Sequence, residues 1–285
     1  MTERLAEVSA RLSSVHQLDA VVTAMQQIAA SRAQQSRGLL AGIEAYSLVV
    51  ARAIAEALRL MPGDRDAPRH ARRGADGLIL FGAEQGFAGP FNDRLLEAVG
   101  KDAERSTLMV VGTRAAALAQ EHGLEVDWSA PMASQIGAVP EIADRVAEAL
   151  YERIETAGLT HVEVVYSRPL ASGTVTIERH SLLPLDLESF RAAMTGAPPL
   201  VTLPPRLLLE RLAQEYVYAQ LCEAAMHAFA AENEARMTAM AAARDNIGDM
   251  IEKLTARERL VRQEEITSEI IELAAGAEAQ AAARR

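Results

Sequence analysis

The densest candidate for chemistry is the segment Gly82-Ala-Glu-Gln-Gly86-Phe-Ala-Gly89-Pro-Phe-Asn92, directly after the apolar run from Gly77 to Phe81. A glycine-rich turn between a strand and a helix can cradle phosphate on backbone amides at the helix N-terminus. The glycine spacing here matches neither the dinucleotide fingerprint nor the P-loop, and no lysine follows it. It therefore favours a structural turn, with Gly86 and Gly89 adopting backbone conformations that a side chain would oppose. Asn92 or Asp93 is then the expected N-cap of the next helix.

Other reactive side chains are scattered. Of the six histidines, His16 and His227 fall in helical stretches, His122 and His161 border elements, His70 lies in a polar loop and His180 in an edge strand. None forms an H-E-x-x-H or similar metal pair. The single cysteine, Cys222, sits in an alanine-rich helical setting that suits an inert small side chain. The carboxylates Glu264, Glu265, Glu269 and Glu272 read as the wet face of a helix. No nucleophile-and-base constellation emerges, so no catalytic residue, cofactor or metal is expected within the chain.

The elements that must carry these residues follow from proline. All 11 prolines of the 285 residues lie between Pro62 and Pro205. Proline inside a helix costs roughly 3 kcal/mol, so the two proline-free flanks are candidate long helices. This gives three segments: a helix over 1–61, an α/β domain with linkers over 62–205 (its body 72–193), and a helix over 206–285. Met194 to Pro205 is the link into the last helix. Aromatic residues make up only 4%, which suits alanine-rich helices, and the net charge of −10 argues against a nucleic-acid partner. The first ten residues are polar, and no stretch approaches a membrane span, so the chain is expected to have no direct membrane span.

The first flank repeats apolar residues at Leu5, Val8, Leu12, Val15, Leu18, Val22, Met25 and Ala29. The three-residue step from Val15 to Leu18 reads as a stammer. The second flank follows a heptad frame: Met226, Phe229, Asn233, Arg236, Met240, Ala243, Ile247, Met250, Leu254, Arg257, Val261, Glu264. It then shifts to Ile266, Ile270, Leu273 and Ala277. Such stripes need a partner, and the two flanks are expected to pair as an antiparallel coiled coil. Between them, strands are expected at Gly77–Gly82, Leu108–Val111, His161–Tyr166 and Thr174–Ser181, the last at an edge. Helices are expected near Arg114–Glu121 and Val139–Ala157. The fold class is thus an α/β domain with a mostly parallel sheet, flanked by long N- and C-terminal helices.

Glu232-Asn-Glu-Ala-Arg-Met-Thr-Ala-Met240, followed by Asn246, Met250, Leu254, Arg262-Gln263, Ile266-Thr267, Glu269-Ile270 and Gly276-Ala277, resembles the C-terminal signature of the F-type ATP synthase γ subunit family. Arg11-Leu12, Ser14-Val15, Ala24-Met25 and Ala29-Ala30 are similar to that family's first helix, and Gly86 to Asn92 to its glycine turn. The resemblance spans essentially the whole chain. It implies a central rotor shaft with no active site of its own. The helical pair would fill the bore of a ring of α and β subunits, and the α/β domain would rest on the c-ring beside the ε subunit. It further implies a peripheral position on the cytoplasmic face of a bacterial plasma membrane. By the same resemblance Met25, Gln26, Arg236, Gln263, Thr267 and Glu269 would contact the ring, with Arg236 reaching out from a heptad core position.

The chain departs from the family at Ala20-Val-Val-Thr-Ala-Met25, where lysines are usual; it has only Lys101 and Lys253. That suggests a divergent bacterial branch. Two other readings stay open on sequence alone: an α/β nucleotide-binding enzyme with helical arms, and a coiled-coil scaffold.

Overall fold

The computed structural model describes residues 2–61, 74–170, 175–191 and 199–283. Pro62, His70 and the first part of the link from Met194 lie outside them. In chain order the elements are helix α1 (Thr2–Leu58), strand β1 (Ala75–Phe81), α2 (Phe91–Val99), β2 (Thr107–Val111), α3 (Thr113–Glu121), β3 (Trp128–Ala130), α4 (Val139–Ala157), β4 (Leu159–Pro169), β5 (Val175–Leu183), α5 (Leu187–Arg191) and α6 (Pro205–Ala283). The chain divides into two compact units. One holds Met1–Ile28 with Thr238–Arg285, the other Ala29–Met237. The division therefore falls within both long helices rather than at the outermost prolines.

In the larger unit five strands lie in the order β3-β2-β1-β4-β5. The first four are parallel, and β5 closes one edge antiparallel to β4. Strands covered on both faces read as unbroken apolar runs, and β1 is such a strand. Leu78 and Leu80 face Leu95, Leu96 and Ala115 of α2 and α3, together with Leu108 and Val110. Ile79 and Phe81 face the other way, toward Val146 and Leu150 of α4 and Val217, Leu221 and Phe229 of α6. The expected strands and helices are present. Sequence reading missed β3, whose three residues carry no apolar run and which joins the sheet through its backbone pairing with β2.

From Val217 to Glu234 nearly every residue of α6 is buried. A helix enclosed on all sides must be small or apolar around its whole circumference. Ala219, Ala224, Ala225, Ala228, Ala230 and Ala231 meet that demand. Leu40 and Ile43 of α1 also pack into this core. Further along, Val50, Ile54 and Leu58 of α1 meet Leu209, Leu212 and Tyr216 of α6, with Phe190.

One premise about membrane spans is corrected, namely that no stretch is long and apolar enough to be one. Within Leu5–Leu58 an 18-residue window reaches a mean hydropathy of 1.5, enough by length and composition alone to cross a bilayer. The physical setting of the helix is different. Ser47 Oγ donates to Glu223 at 3.1 Å, and Arg37 and Tyr46 bond Glu234 and Glu215 of α6. Such a polar face requires a protein neighbour rather than lipid.

In the smaller unit α1 and α6 run antiparallel. Ser9 donates to Glu258 at 2.6 Å, and Asp19 lies 3.8 Å from Arg244. Val15, Val22, Met240 and Ile247 form the buried seam, flanked by Met25, Ala243, Ile251 and Leu254. Two expectations change here. The α1 seam steps from Val15 through Asp19 to Val22, so the heptad continues unbroken and Leu18 is left 50% exposed. On α6 the seam residue after Ile247 is Ile251, and Met250 points away. Ile266, Ile270 and Leu273, expected to continue the seam, are exposed.

This register predicts that Leu18→Gln changes stability by no more than about 0.5 kcal/mol. Val22→Gln should cost about 1.5–3 kcal/mol, the scale of burying a valine. Denaturant melts followed by helical circular dichroism measure both. Equal losses would restore the stammer.

Candidate functional site

The glycine turn leaves the end of β1 beside the ends of β2 and β3, the edge at which parallel α/β sheets bind ligands. Gly82 N–H donates to Val111 O and Gly112 N–H to Ala130 O, both at 2.8 Å. The chain passes so close here that a Cβ on Gly112, whose φ is +116°, would stand 2.7 Å from Gly82 O. One glycine expectation is corrected. Gly86 has open space around it and no positive φ, whereas Gly89 (φ +59°) and the non-glycine Phe87 (φ +63°) carry the left-handed conformations.

Asn92 is also placed differently. Helix α2 is preceded by Pro90, with no side-chain cap. Asn92 sits inside the first turn, buried, and its Oδ1 accepts the Ala83 N–H at 2.9 Å. Its carboxamide pins the exit of β1 rather than capping the helix.

Carboxylates from the chain itself fill the amides at this edge. Glu84 accepts from the N–H and hydroxyl of Thr113, at 2.9 and 2.8 Å, and from Met132 N–H at 2.7 Å. It thus stands at the N-terminus of α3, where a phosphate would favour the helix dipole. Glu232 of α6 accepts the amides of Glu84 and Gln85, each at 3.2 Å. An incoming phosphate would have to displace both carboxylates and overcome their charge.

Arg236 is the main correction to the expected ring contacts. Its side chain is 5% exposed and pairs with Glu232. The guanidinium donates to Gly86 O at 3.2 Å, Gln85 O at 3.3 Å and Asn233 Oδ1 at 3.2 Å. It neither reaches out to a partner nor extends to water; it fastens α6 to the turn. The other positions differ from it. Gln263, Thr267 and Glu269 are exposed on α6, with the Thr267 hydroxyl donating to Gln263 O at 2.8 Å. Met25 and Gln26 are half-buried.

A second polar cluster lies between α1, α6 and the β4–β5 edge. His227 is buried, and both its ring nitrogens lack a hydrogen-bond partner. Its ring stacks on Tyr166, with centroids 5.7 Å apart. The Tyr166 hydroxyl donates to Glu178 at 2.9 Å, and Arg168 bridges Glu178 and Glu44. Burial, aided by Arg168, holds His227 below the usual imidazole range, and burial raises Glu223. Sequence reading passed over this group because Glu223 and His227, four apart on α6, form no familiar motif. Cys222 is buried and its thiol is pushed up to about 11, chiefly by burial, as an inert side chain requires.

Two outcomes are expected of the turn. Glu232→Gln and Arg236→Met should each destabilise by roughly 3 kcal/mol, since each leaves a buried polar partner behind. The double variant should cost less than the sum, as a denaturant double-mutant cycle would show. Calorimetry with ATP on the isolated chain should show no binding at this edge; micromolar binding would revive a nucleotide site.

Comparison with known proteins places these observations. The family model described as ATP synthase matches residues 4–280. The ATP synthase gamma chain of Frankia casuarinae is 27% identical over 299 residues, covering 99% of both chains. That of Glaesserella parasuis is 27% identical over 290 residues, covering 96% of this chain and 98% of the relative. Among solved structures, a chain of the Euglena gracilis mitochondrial ATP synthase OSCP/F1/c-ring assembly superposes with a TM-score of 0.68 at 14% identity, covering 100% of this chain and 97% of its own. A chain of the Tetrahymena thermophila mitochondrial ATP synthase central stalk/c-ring gives a TM-score of 0.58 at 17% identity, covering 78% and 99%. At these identities the structural likeness speaks to the fold, whereas the family model covers nearly the whole sequence: the chain belongs to the ATP synthase family, among relatives named as its gamma chain.

Proposed function

We propose that this chain is the central rotor shaft of an F-type ATP synthase, a non-catalytic subunit that couples c-ring rotation to nucleotide chemistry in α and β subunits. Its partners are then the α and β subunits, the ε subunit and the c-ring. Its place is the cytoplasmic face of a bacterial plasma membrane, held there through the complex. The observation that carries this reading is the outer surface of α6 in the smaller unit. Ile266, Ile270, Ile271 and Leu273 stand 52–74% exposed there, interleaved with exposed Gln263, Thr267 and Glu269. Apolar residues left out of a coiled-coil seam call for another protein surface.

A shaft works by differential contact. Each catalytic subunit changes conformation only insofar as the rotor binds one of its states better than another. A surface that mixes apolar side chains with a few hydrogen-bonding groups suits that task, because it offers contact without deep interlocking. The carboxylate-filled strand edge supports the same reading from the other side. Glu84 and Glu232 take up the amides that a nucleotide-binding enzyme would offer to phosphate.

Affinity purification from the native cell should recover α, β and ε subunits with the chain; recovery of homodimer alone would favour a scaffold. The double variant Gln263→Ala/Thr267→Val removes no seam residue and should assemble, yet lower ATP-driven ion pumping more than ATP hydrolysis. Wild-type values for both activities would remove these residues from the coupling surface. Ala277→Glu, at an exposed position on α6, should lower complex yield or turnover; unchanged values would show that this end of the helix touches nothing.

A further inference from the structure

We propose that Glu44, Glu223 and His227 form a binding site for a divalent transition-metal ion of the Zn2+ class, which would clip α1 to α6 inside the larger unit. One carboxylate oxygen from each glutamate and one nitrogen of the imidazole all lie within 4.8 Å of one another. Acidic groups alone would be weak grounds. The independent observation is His227: only 3% exposed, it has no hydrogen-bond partner on either ring nitrogen. Burying such a group unsatisfied is costly, and native structures seldom leave one without a partner.

The geometry suits a tetrahedral ion. Ligand atoms at ~2.0–2.2 Å from Zn2+ stand about 3.4 Å from each other. His227 Nε2 is 3.8 Å from Glu44 Oε1, so that pair closes by a few tenths of an ångström, and no pair of the three, all within 4.8 Å, need close by more than about 1.4 Å. Glu223 and His227 are four residues apart on α6 and share one face. Glu44 approaches from α1, and its side chain is 44% exposed, which provides both freedom to adjust and an entry path. Neighbouring groups orient the ligands, as good metal sites require. Ser47 Oγ donates to Glu223 Oε2 at 3.1 Å, and the Tyr166 ring stacks on His227 at an interplanar angle of 13°.

Charge also balances. Two carboxylates neutralise a divalent ion, and one imidazole nitrogen selects a borderline ion over Mg2+ or Ca2+. Arg168 lies 3.6 Å from Glu44, and it is not stranded when Glu44 turns to the ion, because it keeps Glu178 at 3.2 Å. Three protein ligands leave the fourth position to water.

Equilibrium dialysis of the full chain against ZnCl2, with metal analysis, is the test, backed by the ligand-field spectrum of the Co2+-loaded protein. Wild type should bind one equivalent, resistant to excess MgCl2, with a tetrahedral Co2+ spectrum. Glu44→Gln and Glu223→Gln should each weaken binding at least ~10-fold. Glu44→Gln alters a part-exposed side chain and leaves the apolar core intact, so it reports even if changes at His227 prevent folding. The control His16→Asn/His122→Asn, which removes two exposed imidazoles, should bind as wild type. No bound zinc at micromolar free ion, or binding lost in the control and kept in Glu44→Gln, overturns the site.

Discussion

The ion pair between Glu232 and Arg236 is where the larger unit is tied together. Both lie on α6, four residues apart, and both are buried. Neither is satisfied by the other alone. The carboxylate takes two amides of the glycine turn, and the guanidinium takes two of its carbonyls. A buried ion pair by itself seldom adds stability, because desolvation consumes most of the Coulombic gain. Here the added backbone bonds offset that cost. They also make the pairing specific: α6 can lie against the sheet edge at one position along its length, since a one-turn slide would strand both charges. The sheet end and α6 are therefore fixed in register by polar groups, while the apolar surface beside them supplies the bulk of the stabilisation.

The apolar surface has its own constraint. Between Val217 and Glu234 α6 is enclosed on all sides, so it cannot offer the polar face that most helices keep for water. Alanine meets this constraint well, being both small and the best helix former. The large side chains that remain, Leu221, Met226 and Phe229, fill the spaces against α4 and β1. The charged side chains of this stretch are bonded to other elements, Glu223 to Ser47, Glu234 to Arg37 and Glu232 to the amides of the turn, while Asn233 bonds within α6 to Phe229 O and Arg236. His227 shows no hydrogen bond at either ring nitrogen, and that is why the cluster around it stands apart from the rest of the core.

The elements were largely legible because they rest on strong local signals. Proline confined to the middle exposed the two long helices, and the run from Gly77 to Phe81 could only be a strand covered on both faces. The unbroken heptad around Leu18 was not legible. An apolar side chain at one position and an acidic one at the next leave periodicity ambiguous, and only Arg244 across the seam shows that Asp19 holds the seam place. Arg236 was misread for a similar reason. A charged residue at a core position announces a buried partner or an external one, and the sequence does not distinguish them. Glu232 and Asn233 stand within four residues of it, but the carbonyls of Gln85 and Gly86 that complete its bonding are some 150 residues away in the chain and are backbone atoms, invisible to any reading of side-chain types. Gly86 and Phe87 carry the same lesson. The residue that takes the left-handed conformation is set by the path of the turn, and glycine identity alone does not identify it.

The sheet edge also bears on why a chain with the layout of a nucleotide-binding fold would do mechanical work. An open parallel sheet presents amides and helix N-termini at its C-terminal end whatever the protein does, and these groups must be satisfied by something. A phosphate ligand satisfies them reversibly, and leaves them unpaired when it departs. Carboxylates from the same chain satisfy them permanently. Glu84 and Glu232 do this here, and the second of them comes from α6. The donor set that would have bound a diffusible anion becomes a joint between the sheet and a long helix. Such a joint transmits force better than it binds ligand, since breaking it exposes the buried Glu232 carboxylate and the Arg236 guanidinium at once. For a subunit proposed to carry torque while its partners carry out the chemistry, that exchange of ligand binding for stiffness is what the arrangement requires.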